Sequence, residues 1–210
     1  MTRVKICGIT SVEDALLAAS SGVDAIGLVF YHKSSRFVSI EQALEIVSAL
    51  PPFITTVALF MNPSEDYVYE VIEGVHCDLL QFHGDESATF CETFGHAYIK
   101  ALPMGDDGNE TLHAVIEQHT ASQGWLLDSH AKGGMGGSGE TFNWQIVPSG
   151  LQQPIILAGG LTPDNVAEAI RTTEVYGVDV SSGVESAPGI KDADKIKRFM
   201  QEVKRVDCKQ

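Results

Sequence analysis

Residues 154–183, which read PIILAGGLTPDNVAEAIRTTEVYGVDVSSG, contain the two turns that decide the fold. One apolar run ends in Gly159 and Gly160, and the next ends in Ser182 and Gly183. Small residues at the ends of successive strands let backbone N–H groups point outward, which suits the binding of an anion such as phosphate. One such turn is ordinary in α/β proteins, but two in succession are typical of the phosphate site of a (β/α)8 barrel. These four residues therefore form the predicted phosphate site.

Short apolar runs alternate with amphipathic helical patterns along the whole chain. Strands are predicted at residues 4–7, 25–30, 55–60, 79–83, 98–102, 125–128, 155–158 and 178–180. Helices are predicted between them from apolar residues spaced i, i+3, i+4, i+7, with starts at Ser11, Ser39 and Thr162. Eight strand–helix units predict one α/β domain over residues 1–210, a closed parallel (β/α)8 TIM barrel. An open doubly wound sheet is the structural alternative, although no GxGxxG follows the first strand.

The composition is that of a globular protein. The chain has 210 residues, of which 44% are hydrophobic and 20% charged, so it can build one large core or two small ones. Its formal net charge of −14 argues against a nucleic-acid partner or an anionic membrane surface. An anionic ligand would need a local positive site to overcome this overall charge.

The cysteines and histidines indicate a protein of a reducing compartment without a metal. Cys7, Cys77, Cys91 and Cys208 show no CxxC spacing and are expected to be free thiols. No signal-peptide pattern precedes the first strand and no apolar run is long enough to span a membrane, so a cytoplasmic protein is expected. The seven histidines include no HExxH motif, so no metal site is expected.

Strand alternation predicts which side chains face the barrel interior. Placing the apolar faces against the helices turns Cys7, His83, Asp128 and Asp179 inward, at or near the carboxyl ends of their strands. Barrel enzymes keep their chemistry at that end, and titratable side chains are costly inside a barrel unless they are used or paired. The structural alternatives are a buried thiol for Cys7, a backbone contact for His83 and a turn-orienting role for Asp179. His83 and Asp179 are predicted to contact a substrate.

Asp128 and Arg36 are predicted functional residues beside two loops at the same end of the barrel. Asp128 ends an apolar strand and precedes a loop over residues 129–141 that carries five glycines, as a catalytic acid beneath a mobile lid would. Arg36 follows the second strand. An arginine there usually faces solvent or forms an ion pair. In a chain of net charge −14 with a phosphate ligand, binding of an anionic group of the ligand by this arginine is an equally good interpretation.

Six segments of the chain resemble one family. They are KICGIT, DAIGLVFYHKSSRFVS, LLQFHGDE, LLDSHAKGGMGGSGETFNW, ILAGGLTPDNV and GVDVSSGVESAPGIKD, and together they resemble phosphoribosylanthranilate isomerase across almost the whole chain. The resemblance implies a (β/α)8 barrel of tryptophan biosynthesis that needs no cofactor. The implied reaction is the Amadori rearrangement of N-(5′-phosphoribosyl)anthranilate to 1-(2-carboxyphenylamino)-1-deoxyribulose 5-phosphate.

The resemblance also implies roles for individual residues. It makes Cys7 the general base, Asp128 the general acid and Arg36 a contact of the anthranilate part. It places the phosphate at Gly160, Ser182 and Gly183. Because the first and sixth strands are not neighbours, the acid and the base should face each other across the substrate. For a base the thiol pKa should fall, and a nearby cation such as Lys5 or Arg36 would lower it.

The same barrel also suits other functions. The sugar-amine isomerase of histidine biosynthesis would have an aspartate near the first strand end, where this chain has Cys7. A metal-dependent epimerase would need several histidine and aspartate ligands, and only His83 is suitably placed. A non-catalytic phosphate-binding barrel would not need both Cys7 and Asp128. The expected partner is a small phosphosugar, and the expected state is a monomer, with a homodimer as the alternative.

Overall fold

Eight parallel strands close into a barrel in the computed structural model of this protein, which describes residues 1–104, 108–129, 142–148 and 150–208. The strands β1–β8 are Arg3–Cys7, Ala25–Val29, Thr55–Phe60, Leu79–Phe82, Tyr98–Pro103, Trp125–Asp128, Ile155–Leu157 and Gly177–Val180. Each strand pairs with the next in the chain, and β1 also pairs with β8 in parallel, which closes the sheet. The predicted (β/α)8 barrel is thus confirmed, and the open doubly wound sheet is wrong.

Seven α-helices surround the barrel in the described part of the chain. The helices α1–α7 are Val12–Ser21, Ile40–Ala49, Glu65–Val75, Ala88–Thr93, Gly108–Gln118, Val166–Thr173 and Ala193–Asp207. Between β6 and β7 the described residues form a 3-10 helix, Trp144–Ile146, in place of an α-helix. The predicted lid over residues 129–141 lies, apart from Ser129, outside the described residues.

Serine side chains define the starts of the first helices. Ser11 accepts a hydrogen bond from the N–H of Asp14, and Ser39 accepts one from the N–H of Gln42. A serine in this position satisfies an N–H group that has no partner within the helix, which stabilises the helix by about 1 kcal/mol. Both predicted helix starts are confirmed.

Regular helix α6 begins at Val166, four residues after the predicted start at Thr162. The predicted capping contact of Thr162 is present, because its hydroxyl accepts the N–H of Asp164 at 3.2 Å and its carbonyl oxygen accepts the N–H of Val166 at 3.1 Å. The N–H of Thr162 donates to the side-chain oxygen of Asn165 at 2.8 Å, and the Asn165 amide donates to the carbonyl oxygen of Gly160 at 2.9 Å. These two bonds fold residues 162–165 into a turn that returns to the end of β7. The proline that suggests a helix start, Pro163, lies in this turn.

The apolar core lies between the strands and the helices. The outward side chains of β1, β4 and β8, among them Ile6, Leu80, Phe82 and Val180, are almost fully buried there. Phe60 stacks on Phe82 with ring centroids 6.0 Å apart. Each such side chain contributes roughly 1.5–3 kcal/mol when it is fully buried. A smaller apolar cluster, Ile99, Ala101, Leu126 and Ala158, fills part of the barrel interior, and the polar inward residues that the alternation predicts lie beside it.

A small hairpin that the periodicity does not predict follows β8. After the 3-10 helix Ser182–Val184, strand β9 (Glu185–Ala187) pairs antiparallel with β10 (Ile190–Lys191). Gly189 in its turn has a φ of +81°, which a residue with a Cβ rarely adopts. The hairpin places Glu185 and Lys191 at the mouth of the barrel.

Among the described residues, no helix has both the length and the apolar content needed to cross a membrane. The described part of the chain also contains no group of three or more His, Cys, Asp or Glu residues placed to hold a metal ion.

Candidate active site

A cavity of about 310 Å³ lies at the carboxyl ends of the strands. Eight of the nine predicted site residues line it, namely Cys7, Arg36, His83, Asp128, Gly159, Gly160, Asp179 and Ser182. They come from strands β1, β6 and β8 or from the segments that follow β2, β4, β7 and β8. Strand alternation and barrel closure therefore bring residues from distant parts of the sequence into one cavity, as predicted.

Gly183 is the predicted site residue that does not line the cavity. A Cβ built on Gly183 would lie 1.9 Å from the carbonyl oxygen of Leu161, far inside van der Waals contact. Gly183 therefore allows the turn after β8 to pack directly against the turn after β7. Its contribution to the predicted phosphate site is this close approach of two backbones.

The turn after β7 has the backbone geometry that requires glycine. Gly159 and Gly160 have φ angles of +82° and +62°. A Cβ on Gly159 would also lie 2.4 Å from the backbone nitrogen of Ser129. The turns after β6, β7 and β8 are thus packed against one another, with Ser182 on the cavity side.

Cys7 lies beside a buried ion pair. The Nζ atom of Lys5 is 2.9 Å from Oδ2 of Asp179, and both side chains are almost fully buried inside the barrel. Burial lowers the pKa of Lys5, but the negative charges of Asp179 and of the Cys7 thiolate outweigh burial and raise it. Lys5 therefore remains a cation at neutral pH, directly beneath the thiol.

The pKa of the Cys7 thiol does not fall, contrary to the expectation from nearby cations. Burial raises the pKa, and Asp179 adds to this effect, while the positive charges of Lys5 and Lys191 oppose it only in part. The physical reason is the loss of water around the sulfur, which disfavours the charged form.

Asp128 lies at the opposite side of the site with a histidine as its neighbour. Nε2 of His83 is 3.3 Å from Oδ2 of Asp128, and the Ser129 hydroxyl donates to Oδ1 at 3.5 Å. On the other ring nitrogen, Nδ1 of His83 is 3.1 Å from the Nε2 amide of Gln81. Both ring nitrogens of His83 therefore have a polar neighbour, Gln81 on one side and Asp128 on the other.

A second buried ion pair fixes the turn that follows His83. Lys100 donates to the carbonyl oxygen of Gly84 at 2.6 Å and lies 3.1 Å from the Glu86 carboxylate. Glu86 in turn accepts the N–H of Gly84 at 2.9 Å. Both charges are paired and hydrogen-bonded, as buried charges need to be. This pair holds the end of β4 and with it the imidazole that faces Asp128.

Arg36 is in an ion pair, the structural alternative predicted for it, and it also lines the cavity. Its Nε and Nη2 atoms donate to the two carboxylate oxygens of Glu185, each at 2.7 Å. Lys191 lies 2.8 Å from the same carboxylate and also donates to the carbonyl oxygen of Cys7 at 2.6 Å.

Sequence reasoning did not assign Glu185 or Lys191 to the site. Both belong to the segment GVESAPGIKD, directly after the predicted phosphate turn. The signal that could have found them is a hairpin turn, SAPG, between two charged residues placed beyond a strand end.

Comparison with known proteins identifies the family. The family model described as N-(5′-phosphoribosyl)anthranilate (PRA) isomerase matches residues 4–202. A protein of Pseudomonas fluorescens named N-(5′-phosphoribosyl)anthranilate isomerase is 55% identical over 205 residues, covering 97% of this chain and 96% of the relative. A protein of the same name from Stutzerimonas stutzeri is 52% identical, covering 98% of this chain and 99% of the relative.

Solved structures give the same result. Phosphoribosylanthranilate isomerase of Thermotoga maritima superimposes with a TM-score of 0.88 at 40% identity, covering 98% of this chain and 100% of that one. A structure of the enzyme in complex with reduced 1-(o-carboxyphenylamino)-1-deoxyribulose 5-phosphate has a TM-score of 0.83 at 38% identity, with the same coverage. On sequence and structure alike, the chain belongs to the N-(5′-phosphoribosyl)anthranilate isomerase family.

Proposed function

We propose that the cavity at the mouth of the barrel carries out the Amadori rearrangement of this family, with Cys7 as the base and Asp128 as the acid. As a member of the family, the chain is an aldose–ketose isomerase of tryptophan biosynthesis. The observation that carries the residue assignment is the placement of Cys7 and Asp128, from β1 and β6, on one cavity next to the glycine turns of β7 and β8.

The proposed reaction begins at the furanose ring. Asp128, protonated, gives its proton to the ring oxygen, and the bond from that oxygen to C1′ breaks to leave a Schiff base at C1′. The thiolate of Cys7 then takes the proton from C2′, and the electron pair of that C–H bond forms the C1′–C2′ double bond of an enol-amine. Tautomerisation of the enol-amine gives the ketose. The cations Lys5 and Lys191 lie near the thiolate and favour its formation.

The remaining residues are proposed to bind the substrate. The phosphate would lie against Gly159, Gly160 and Ser182, where backbone N–H groups can surround it. Asp179 keeps one carboxylate oxygen, Oδ1, buried without a hydrogen bond from any described residue, so it can accept one from a sugar hydroxyl. His83 would hold Asp128 in place.

The proposed steps move only protons within one substrate, so they call for no cofactor. We also propose that the protein works as a monomer, because the described residues of one chain already bring eight of the nine predicted site residues to one cavity. A cytoplasmic location is proposed from the membership of the family in amino-acid biosynthesis. Sedimentation at micromolar concentration would distinguish the monomer from a homodimer.

The direct test follows the fluorescence of the anthranilate group during turnover of N-(5′-phosphoribosyl)anthranilate. The wild-type protein should consume this substrate, and each of Asp128→Asn and Cys7→Ser should reduce kcat by about 10²–10⁴-fold, as expected for one positioned acid or base. Absence of turnover by the folded wild-type protein would contradict the proposed function.

A ring-opened analogue distinguishes the two proposed roles. An analogue already opened to the Schiff base no longer needs the acid but still needs removal of the C2′ proton. Asp128→Asn should regain much of its activity on it, whereas Cys7→Ser should not. Recovery by Cys7→Ser alone, or by both variants equally, would mean that the roles are assigned wrongly.

A further inference from the structure

Glu185 holds the guanidinium of Arg36 in one fixed orientation. The carboxylate accepts two parallel hydrogen bonds of 2.7 Å, one from Nε and one from Nη2 of Arg36, and Glu185 is only 7% exposed. A two-point contact of this kind fixes the plane and the rotation of the guanidinium group, which a single contact does not.

Lys191 anchors this carboxylate to the barrel. Its Nζ atom has no exposed surface and contacts Glu185 at 2.8 Å, the carbonyl oxygen of Cys7 at 2.6 Å and that of Ser181 at 3.3 Å. Its own N–H donates to the Asp14 carboxylate at 3.0 Å. Glu185 is thereby attached to the ends of β1 and β8, the strands that close the barrel.

The three charged groups of this cluster carry a net positive charge beside the cavity. Arg36 and Lys191 are cationic and Glu185 is anionic, so the three together carry one positive charge. Burial raises the pKa of Glu185, but its hydrogen bonds with Arg36 and Lys191 outweigh burial and lower it, which keeps the carboxylate ionised at neutral pH. With Nε and Nη2 engaged, Nη1 is the guanidinium nitrogen without a partner among the described residues, and Arg36 lines the cavity.

We propose that Glu185, anchored by Lys191, is a positioning residue that directs the Nη1 edge of Arg36 at the carboxylate of the anthranilate ring. This inference rests on the proposed function, since it assigns the cluster to one substituent of the proposed substrate. In a chain of net charge −14, a rigid guanidinium edge supplies the local positive site that an aromatic carboxylate requires.

The test compares the affinity for two ligands, the product and an analogue with aniline in place of anthranilate. Glu185→Gln retains the shape of the side chain but not its charge, so Arg36 loses its fixed orientation. The variant should bind the product about 10- to 100-fold more weakly, as expected for one charge-assisted hydrogen bond. Its affinity for the aniline analogue, which has no carboxylate, should stay within about twofold of wild type. Equal weakening for both ligands would overturn the proposal.

A double-mutant cycle tests whether Glu185 acts through Arg36. Arg36→Met should raise KM, and adding Glu185→Gln to it should raise KM no further, because no guanidinium is left to position. If the two substitutions raise KM by factors that multiply independently, the positioning role is overturned. If Glu185→Gln does not fold, Arg36→Lys replaces it, since lysine keeps the charge but not the two-point contact. An unchanged KM in Arg36→Lys would then overturn the proposal.

Asp78→Asn is the matched control at the other end of the barrel. Asp78 accepts the N–H and the hydroxyl of Thr56, each at 2.7 Å, before β4 begins. Its variant should lower Tm while leaving KM and both ligand affinities unchanged. If the proposed function is wrong, the wild-type protein should be inactive. If the wild type is active but Glu185→Gln weakens binding of both ligands equally, only the role of Glu185 is contradicted.

Discussion

The pKa of Cys7 is determined by two opposing effects. Loss of water around the sulfur raises its pKa, and the cations Lys5 and Lys191 lower it by less. The reactive thiolate is therefore a minor species at neutral pH in the free protein. Residue type and strand position predicted where Cys7 lies, but its pKa depends on three-dimensional burial, which no spacing in the sequence contains.

The rate of alkylation measures the thiolate fraction of Cys7. In a Cys208→Ser background, which removes the exposed thiol, the rate of modification of Cys7 by iodoacetamide should follow the thiolate fraction. Since the pKa is raised, the reactive form appears at higher pH, and the midpoint of the rate should lie above the ~8.5 of a free cysteine. Cys7→Ser in the same background is the control and should take up no label at the cavity. A midpoint below about 8 would contradict the dominance of burial.

At the scale of elements, the turns after β7 and β8 behave as one unit because Gly183 lets them touch. Gly183→Ala would put a Cβ 1.9 Å from the Leu161 carbonyl oxygen, so one turn has to move away from the other. A shift of about 1 Å in a binding turn can cost about 10²-fold in activity. We expect kcat/KM to fall by about that factor, measured with the phosphorylated substrate.

Gly95→Ala is the control for this variant. Gly95 has a φ of +57° and no atom within 4 Å of the position that a Cβ would take, so alanine there adds backbone strain without a clash. It should lower Tm slightly and leave kcat/KM unchanged. Equal losses of activity in Gly183→Ala and Gly95→Ala would show that the contact between the two turns does not matter.

The elements themselves were largely predictable, for a physical reason. Buried parallel strands appear in the sequence as short apolar runs, and amphipathic helices appear as apolar residues at helical spacing. For this reason β3 at Thr55–Phe60 and β6 at Trp125–Asp128 have their predicted bounds. The hairpin β9–β10 has strands of three and two residues, too short to show a period. The start of α6 differs by four residues because the side chains of Thr162 and Asn165 bond to backbone groups of residues 162–165 and hold them in a turn before the regular helix.

At the scale of the whole molecule, closure of the barrel explains why distant residues could be placed together. Parallel strands in one closed sheet bring all their carboxyl ends to one rim, so Cys7 and Asp128 had to lie near the same cavity. Pairings inside the barrel depend instead on register. Lys5 lies opposite Asp179 because β1 and β8 pair at that residue, and neither strand alone indicates it.

The ion pair between Lys5 and Asp179 allows function and stability to be separated. Lys5→Met leaves a buried carboxylate without its partner, which should lower the free energy of unfolding by about 3–5 kcal/mol. Lys5→Met with Asp179→Leu removes both charges and should restore most of that loss, because apolar side chains of similar size avoid the cost of burying ions. The double variant should nevertheless turn over little substrate, since the cation beside the thiol and the carboxylate facing the cavity are both absent.

Urea unfolding and kcat/KM, measured on the same samples, check the predicted stability and turnover. The exposed pair of Asp164 and Arg198 is the control, where Arg198→Ala should change both quantities little. A double variant that is as unstable as Lys5→Met would contradict the predicted rescue of stability. One that keeps wild-type turnover would show that the pair does not serve the reaction.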